Sequence, residues 1–353
     1  MNILFVTENL GSGGAERQLT RLAALFKNAG YNVSLATWGK QQFHADYLRE
    51  NDIEHVMIPD YSKAKRVLRL AKLYRKRRPD AVISYLPMAN ETAIMARMFA
   101  HVPRLIVSER SFTSSWSGRT LLRYFLYRFA DRIVANSNNE AENIRVNVPT
   151  IASKVVSIPN FVEIDRFHAI SHVVGKPMRM ISVGRVIPTK NVIKALQALR
   201  IVIDKGYDCT LDWYGDTYDT NYVKEVRDAA KRLCLDNRFI LRGQTNKIAE
   251  ILPTYDIFFF PSLLEGYPNV LCEAMACSLP VVCSNAGEMQ NILTNDKGGY
   301  LFNPNSVDEI ANALERIMSL PNEKLQKMGE YNRKVIETCN SPVSIFSQYI
   351  SLL

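Results

Sequence analysis

The chain reads as an α/β protein of two doubly wound parallel domains, one in each half of its 353 residues. Three observations carry this. Short apolar runs alternate with amphipathic stretches of helical period, the pattern of β–α units and a parallel sheet. The alternation stops near residue 160 and restarts near residue 180. The length exceeds one ordinary core and suits two of roughly 150–200 residues.

The first half opens with the apolar run Ile3–Thr7. It lacks a basic leader and meets Glu8 at once, so it reads as a buried strand and not as a signal peptide. Gly11, Gly13 and Gly14 follow, then an amphipathic helix over Ala15–Ala29 that Gly30 stops, then a strand at Val33–Thr37. Further strands are expected at Ala81–Tyr85, Leu105–Ser108 and Ile133–Asn136. The stretch from Pro159-Asn160-Phe161-Val162 to Gly175-Lys176-Pro177 has no clear period and reads as a linker. The pattern resumes with a strand at Met180–Val183, a Gly184-Arg185 turn and a helix over Asn191–Lys205. Strands follow at Thr210–Tyr214, Phe239–Leu241, Ile257–Phe260 and Val281–Cys283. The expected domains are residues 1–170 and 171–341. Residues 342–353 form a short helix that could pack back on the first domain. Two such domains usually take ligands in the cleft between them, at the carboxyl ends of their strands.

Hydrophobic residues make up 47% and charged residues 22%, which excludes disorder, collagen and coiled coil. No apolar run approaches the ~18 residues of a spanning helix. The six cysteines contain no C-x-x-C pair and read as reduced thiols of a cytoplasmic protein. None belongs to a metal-ligand constellation.

The net charge of +9 lies wholly in the first half: residues 1–170 hold 24 Lys/Arg against 15 Asp/Glu, and residues 171–353 hold 20 of each. An anionic partner for the first half follows, whether membrane surface, nucleic acid or phosphorylated substrate. Lys63–Arg78 holds nine cations and no acid, with Val67, Leu70, Leu73 and Tyr74 at helical spacing. Trp116–Arg132 is aromatic and basic. Part of each must be an ordinary helix with one buried stripe. The charge density of the first suits an anionic membrane surface. No nucleic-acid recognition motif accompanies the charge, so no nucleic-acid partner is expected.

Three loops carry candidate chemistry. In Gly11-Ser12-Gly13-Gly14-Ala15-Glu16, glycines let backbone N–H groups approach an anion at a helix start. A nicotinamide fingerprint would need Gly or Ala at Glu16 and an acid where Trp38-Gly39-Lys40 stand. A plain tight turn is the simpler reading; the adjoining helix start favours phosphate or sugar. In the second half, Arg185 follows a strand and Lys190 heads a helix, a pair suited to a diphosphate, although such cations are often only solvated. The strongest signal is Glu265-Gly266-Tyr267-Pro268-Asn269-Val270-Leu271-Cys272-Glu273. Two carboxylates eight apart can both accept from sugar hydroxyls. The amides of Tyr267, Asn269 and Val270 lie near a helix N-terminus, which favours phosphate. Otherwise Glu265 caps a turn and Glu273 is a surface residue; apolar Leu271, Ala274 and Met275 argue against full exposure.

These stretches together resemble the retaining glycosyltransferases of the GT-B fold, specifically glycosyltransferase family 4 and its bacterial polysaccharide and lipid-linked glycan subgroup. The resemblance rests on Glu265–Glu273 with the following Ala274–Val282. Gly13–Arg17, Pro159–Val162, Val183-Gly184-Arg185 with Lys190, and Arg242-Gly243 support it. It implies two Rossmann-like domains facing across a cleft. Its implied catalytic set is Glu265, Arg185 and Lys190, the two cations holding the donor diphosphate. Glu265 with the backbone of Tyr267, Pro268, Asn269 and Val270 would contact donor sugar and phosphate. Glu273 would bind the ribose, and Gly243, Gln244 and Asn246 the base. Gly13 and Gly14 would face donor phosphate or acceptor, and Glu109 and Arg110 would lie on that same side. The chain departs from the family in having Tyr85-Leu86-Pro87 where a His is frequent, Ser278 for a frequent Gly, and no Gly-Gly-x-Pro-Glu at Asn285–Asn291.

The implied reaction moves a hexosyl or N-acetylhexosaminyl group from a UDP-sugar to a hydroxyl of a lipid-linked or polysaccharide acceptor, with retention by front-face attack. No cofactor or metal is expected, since no D-x-D pair ends a strand. The expected place is the cytoplasm, peripheral to the inner face of the cell membrane. An epimerase of the same architecture would need an acid/base cluster, and His44, His55, His101, His168 and His172 form none in sequence. A phosphorylase would need a pyridoxal-type lysine site and a longer chain. A scaffold that binds nucleotide-sugar without turnover is the non-enzymatic alternative.

Overall fold

The computed structural model describes residues 1–59, 62–169 and 175–353. They divide into two compact units, Met1–Phe161 with Pro342–Leu353, and Val162–Ser341.

The first unit holds strands β1 (Asn2–Val6), β2 (Asn32–Thr37), β3 (Glu54–Met57), β4 (Ala81–Tyr85), β5 (Arg104–Glu109), β6 (Arg132–Ala135) and β7 (Val155–Ser157). Helices α1 (Gly14–Asn28), α2 (Ala45–Glu50), α3 (Lys63–Arg77), α4 (Pro87–Arg97), α5 (Gly118–Tyr127) and α6 (Asn138–Asn147) connect them. The sheet order is β3-β2-β1-β4-β5-β6-β7, every pair parallel. Right-handed crossovers put helices on opposite faces on the two sides of the β1/β4 reversal. The cores follow: Val67, Leu70, Ala93, Tyr124 and Ile144 from α3 to α6 fill one face. Leu19, Leu22 and Phe26 from α1 fill the other.

The second unit holds β8 (Met178–Val183), β9 (Cys209–Tyr214), β10 (Phe239–Gly243), β11 (Ile257–Phe260), β12 (Val281–Ser284) and β13 (Gly299–Phe302). Its helices are α7 (Val192–Asp204), α8 (Thr220–Arg232), α9 (Ile248–Ile251), α10 (Asn269–Ala276), α11 (Met289–Ile292), α12 (Val307–Met318) and α13 (Asn322–Cys339). The order is β10-β9-β8-β11-β12-β13, again parallel throughout. Its central strands β8, β11 and β12 are near-continuous apolar runs, as two covered faces require. All six cysteines are free, four of them buried.

The division between units differs from the expected one. The boundary at 170/171 lies outside the described residues, as do residues 170–174 of the expected linker and His172. The units part at Phe161/Val162. Gln18 Nε2 donates to the Phe161 carbonyl at 2.8 Å and the Phe161 amide donates to Gln18 Oε1, fixing that residue in the first unit. The Val162 amide donates to the Asn340 carbonyl at 2.9 Å, and Phe167 is buried in the second core. Strands β3, β7 and β13 were not anticipated. β3 and β7 are edge strands of four and three residues, too short to show a period.

The last helix, α14 (Pro342–Ile350), belongs to the first unit. Ile345 and Tyr349 are buried there, and Phe346 meets Phe26 edge-on at 4.9 Å between ring centres. Ile345→Ala should therefore lower unfolding free energy by about 2–5 kcal/mol. Val343→Ala, at a side chain 77% exposed, should stay within about 0.5 kcal/mol. Urea denaturation of both variants checks this; equal effects would mean that the helix does not pack on this core.

Candidate active site

In an open parallel sheet, loops on either side of a reversal in strand order diverge and leave a crevice at the carboxyl edge. The second sheet reverses between β8 and β11. The loop after β8 carries Gly184, Arg185 and Lys190, and the loop after β11 carries Glu265 to Pro268. The two strongest sequence signals of this half thus emerge side by side.

Backbone bonds knit that edge together. Gly184 N–H donates to the Tyr214 carbonyl at 2.8 Å, Gly215 N–H to the Gly243 carbonyl at 2.9 Å, and Leu263 N–H to the Thr189 carbonyl at 2.9 Å. A side chain at Gly215 would overlap the Gly184 carbonyl, so only glycine allows this approach. Asn191 Nδ2 donates to the carbonyls of Pro261 (3.2 Å) and Pro304 (2.8 Å) and joins three loops.

Lys190 and Glu265 meet directly: the ammonium donates to Glu265 Oε1, and each side chain is only 15% exposed. The Lys190 ammonium also lies 5.3 Å from the Phe260 ring centre. The Glu265 backbone is pressed by Gly287, whose φ of +58° a side chain would resist and whose Cβ would crowd the Glu265 carbonyl at 2.5 Å. Arg185 is exposed, with its guanidinium 3.4 Å from the Tyr218 hydroxyl.

Helix α10 begins after Pro268, without a side-chain cap. Glu273 is 6% exposed, which removes the surface-residue alternative. One detail corrects the expected amide set. The Asn269 amide donates to the Tyr267 carbonyl at 3.1 Å and is not open to a ligand. The Tyr267 ring turns inward, where its hydroxyl accepts from Asn340 Nδ2 and pairs with Cys272 Sγ at 3.5 Å. Burial pushes that hydroxyl well above its ordinary pKa and the Cys272 thiol up to about 12. Pro268 is buried, and Val270 stands partly exposed in the first turn.

At the base loop, Gly243 has φ +76°, and Gln244 and Asn246 are exposed. Sequence reasoning missed what holds this loop. Arg242 Nε donates to Asp212 Oδ2 at 2.9 Å, and the Tyr255 hydroxyl donates to the same oxygen. Asp212 lies on β9, 30 residues away, beyond any local pattern.

The first sheet reverses between β1 and β4. Gly13 and Gly14 are exposed at the start of α1, which has no side-chain cap. At the end of β4, Leu86 has φ +76°, unusual for a bulky residue. Tyr85, which stands where the family often has His, joins its hydroxyl to that of Tyr349 on α14 at 2.8 Å. Arg110 lies 4.5 Å over the Tyr85 ring and donates to Ser108 Oγ at 3.2 Å and to Asn160 Oδ1. Tyr349 is 264 residues from Tyr85 and carried no signal in sequence.

Glu109 is a correction. It was expected on the ligand side, but it is 1% exposed and faces α4 and α5. Its carboxylate accepts from the Tyr127 hydroxyl, with Arg123 at 3.9 Å. As the last residue of a strand covered on both faces, it turns into the helical layer. Glu140, also buried, accepts from Thr113 Oγ1 at 2.6 Å and Tyr124 at 3.2 Å in the same layer.

Among the described residues no cluster of three His, Cys, Asp or Glu side chains could hold a metal ion.

A family model described as glycosyltransferase family 4 matches residues 12–166, and one described as glycosyl transferases group 1 matches residues 163–335. The chain is 26% identical over 275 residues to an Escherichia coli protein, covering 72% of this chain and 70% of that one. The relative is UDP-Gal:alpha-D-GlcNAc-diphosphoundecaprenol alpha-1,3-galactosyltransferase. The present chain is also 26% identical over 345 residues, 90% of each chain, to a Campylobacter jejuni protein. That relative is N-acetylgalactosamine-N,N'-diacetylbacillosaminyl-diphospho-undecaprenol 4-alpha-N-acetylgalactosaminyltransferase. The fold of the present chain matches that of Anabaena HepE in complex with UDP, with a TM-score of 0.88, 20% identity and 99% of each chain covered.

Glu109 gives a pH test. Burial raises its carboxyl from 4.5 to about 6, against the pull of Arg123 and the Tyr127 hydrogen bond. The folded state then holds the proton more tightly than the unfolded chain. Stability falls as pH rises through 4.5 to 6 and is fully recovered below that window. Glu109→Gln removes the ionisation. Its stability relative to the unsubstituted chain should rise by about 2 kcal/mol between pH 4.5 and 6.5, read by urea denaturation. A difference that does not change with pH would mean that the carboxylate is solvated.

Proposed function

Since the chain belongs to glycosyltransferase family 4, with two Rossmann-like units of the GT-B type, and is a glycosyltransferase, we propose that it uses a UDP-sugar as donor. The acceptor is a hydroxyl of a lipid-linked glycan, in bacterial surface-glycan synthesis. The two relatives named above act on diphosphoundecaprenol-linked saccharides, which supports this acceptor class. The UDP bound by HepE supports the donor nucleotide. Both are hexosyl or N-acetylhexosaminyl transferases by name, and both names carry an alpha linkage.

The observation that carries the reading is the meeting of Lys190 and Glu265 at the β8/β11 reversal, beside exposed Arg185 and uncapped α10. When the C1–oxygen bond of the donor breaks, negative charge grows on the outer phosphate. Arg185 forks onto its oxygens, and Lys190 supplies a point charge whose place is already fixed by Glu265. Glu265 in turn accepts from donor-sugar hydroxyls, and Glu273 from the ribose. Gly243, Gln244 and Asn246 border the base. Within the first unit, Gly13, Gly14 and Arg110 are the residues assigned to the acceptor or phosphate.

For retention, front-face attack fits this set. The acceptor oxygen bonds to C1 on the face the phosphate leaves, and the departing phosphate oxygen takes the acceptor proton. Glu265 is engaged by Lys190 and is not offered as a covalent nucleophile. The charge stabilisation needs no metal, so turnover should survive EDTA. NMR of the product should show the donor's anomeric configuration; an inverted anomer would refute the mechanism.

UDP at ~100 times its Kd should add about 2.7 kcal/mol of stability. Glu273→Gln and Lys190→Ala should each remove most of that gain, measured as thermal shift beside GDP, ADP and NAD. A shift with GDP or ADP alone would change the donor. UDP binding without sugar transfer to lipid-linked acceptor would favour the scaffold reading.

A further inference from the structure

We propose that Tyr349, on the last helix α14, is a positioning residue. Acting through Tyr85, it holds the Arg110 guanidinium at the carboxyl edge of the first sheet, oriented to receive a phosphate group of the substrate. The proposal rests on the assignment of Arg110 to acceptor or phosphate and names the device that fits that residue for the task.

Arg110 directly follows β5 and is half-buried. Its guanidinium donates from Nη1 to Ser108 Oγ at 3.2 Å and from Nη2 to Asn160 Oδ1, and lies 4.5 Å over the centre of the Tyr85 ring. Asn136 Nδ2 donates to its backbone carbonyl at 3.0 Å. Asn160 is 5% exposed, and the next residue, Phe161, is tied to Gln18 on α1. None of these partners is an acid. The adjacent carboxylate, Glu109, is turned away to Tyr127 and Arg123. Among the described residues Arg110 forms no ion pair, and only two of its five N–H groups are hydrogen-bonded. A guanidinium ordered by neutral groups and left without a counter-charge has an oxyanion as its complement, and phosphate matches its fork.

Tyr85 is the floor of this arrangement. It is 2% exposed, so it offers Arg110 a ring face and offers a ligand no hydroxyl. That hydroxyl is paired with the Tyr349 hydroxyl at 2.8 Å, and Tyr349 is 1% exposed. Burial, together with Tyr85, holds the Tyr349 hydroxyl well above its ordinary pKa, while the Arg110 charge and Ser108 pull the other way. Tyr349 is thus a neutral hydrogen-bonding group, out of reach of substrate and not an acid or base of the reaction. The turn beside it is strained: Leu86 has φ +76° and donates its amide to the Ser108 carbonyl at 3.1 Å. Such a backbone persists where its surroundings over-determine it.

The tether comes from the far end of the chain. Ile345 and Tyr349 stand one turn apart on the same face of α14. Ile345 and Phe346 seat the helix in the core that α1 also lines, and Tyr349 then meets the last residue of β4, 264 positions away. The last helix therefore completes an edge that the β4 and β5 loops leave unfinished.

The probe is inorganic pyrophosphate, titrated calorimetrically into the full chain with and without saturating UDP. Arg110→Gln should weaken its binding at least about tenfold. Tyr349→Phe should weaken it about fivefold and should add nothing in the Arg110→Gln background. Tyr349→Phe also leaves the Tyr85 hydroxyl buried without its partner, which lowers the melting temperature. Tyr85→Phe with Tyr349→Phe removes both hydroxyls and should recover most of that loss. Pyrophosphate binding should stay weak in this double variant, because the ring has lost its tether. Recovery of binding together with melting temperature would mean a role in stability only and would overturn the proposal. So would unchanged binding by Arg110→Gln, or an equal effect of Tyr349→Phe in both backgrounds. Arg110-dependent binding that persists under UDP marks the phosphate as the acceptor's; Arg110-dependent binding that UDP excludes marks it as the donor's. If the UDP thermal shift is present and pyrophosphate binding ignores Arg110, this proposal fails alone. If the shift is absent and Arg110-dependent binding remains, the donor reading fails alone.

Discussion

Parallel pairing is the constraint on which the rest depends. Every strand neighbour in both sheets is parallel, so each connection must cross over and every loop that follows a strand emerges at the same edge. Chemistry-bearing residues far apart in sequence are gathered there without any contact being specified in advance. Lys190 and Glu265 are 75 residues apart, yet they follow strands that are hydrogen-bonded neighbours. The place of the reversal in strand order then decides which two loops are free to part around a ligand.

Within that frame the Lys190–Glu265 pair is a preorganising device more than a stabilising one. Two partly buried charges gain Coulomb energy against the loss of hydration, and the balance is commonly near zero. What the pair secures is position. The lysine stem lies along Gly184, the glutamate backbone lies against Gly287, and the shared hydrogen bond holds the two charges before a ligand arrives. A phosphate entering such a site meets a cation that needs no reorganisation. Arg185, by contrast, is exposed and held only through a 3.4 Å contact with the Tyr218 hydroxyl, which suits the mobile role proposed for it.

The legible part of the fold was the part with a period. β4 and β11 have the residue limits expected from sequence, and most other anticipated strands differ by one or two residues. β3 and β7 escaped because an edge strand of three or four residues has neither a continuous apolar run nor alternation. The unit boundary escaped for another reason: it falls between two adjacent residues. Phe161 is tied to Gln18 and Val162 to Asn340, and nothing in the Pro159–Val162 stretch tells which partner each will find. In the site, residues on loops after strands were legible because spacing and residue type survive in one dimension. Their supports were not. Asp212 behind Arg242 and Tyr349 behind Tyr85 are contacts of the folded chain only.

Glu109 shows how a resemblance can mislead. It puts Glu109 and Arg110 on the same side, yet successive side chains of a strand point to opposite faces. Arg110 reaches Tyr85 and Asn160, while Glu109 turns into the helical layer and meets Tyr127 and Arg123. The two neighbours therefore serve different ends of the first unit. Arg110 bears on its carboxyl edge. Glu109 anchors α5, and so fixes which side of that helix is turned outward. The aromatic-basic segment is thereby split: Tyr124 and Tyr127 are consumed by the core, and Leu122, Phe125 and Phe129 are left outside it. The same buried carboxylate that costs stability at neutral pH thus holds the inward side of α5 through Tyr127 and Arg123.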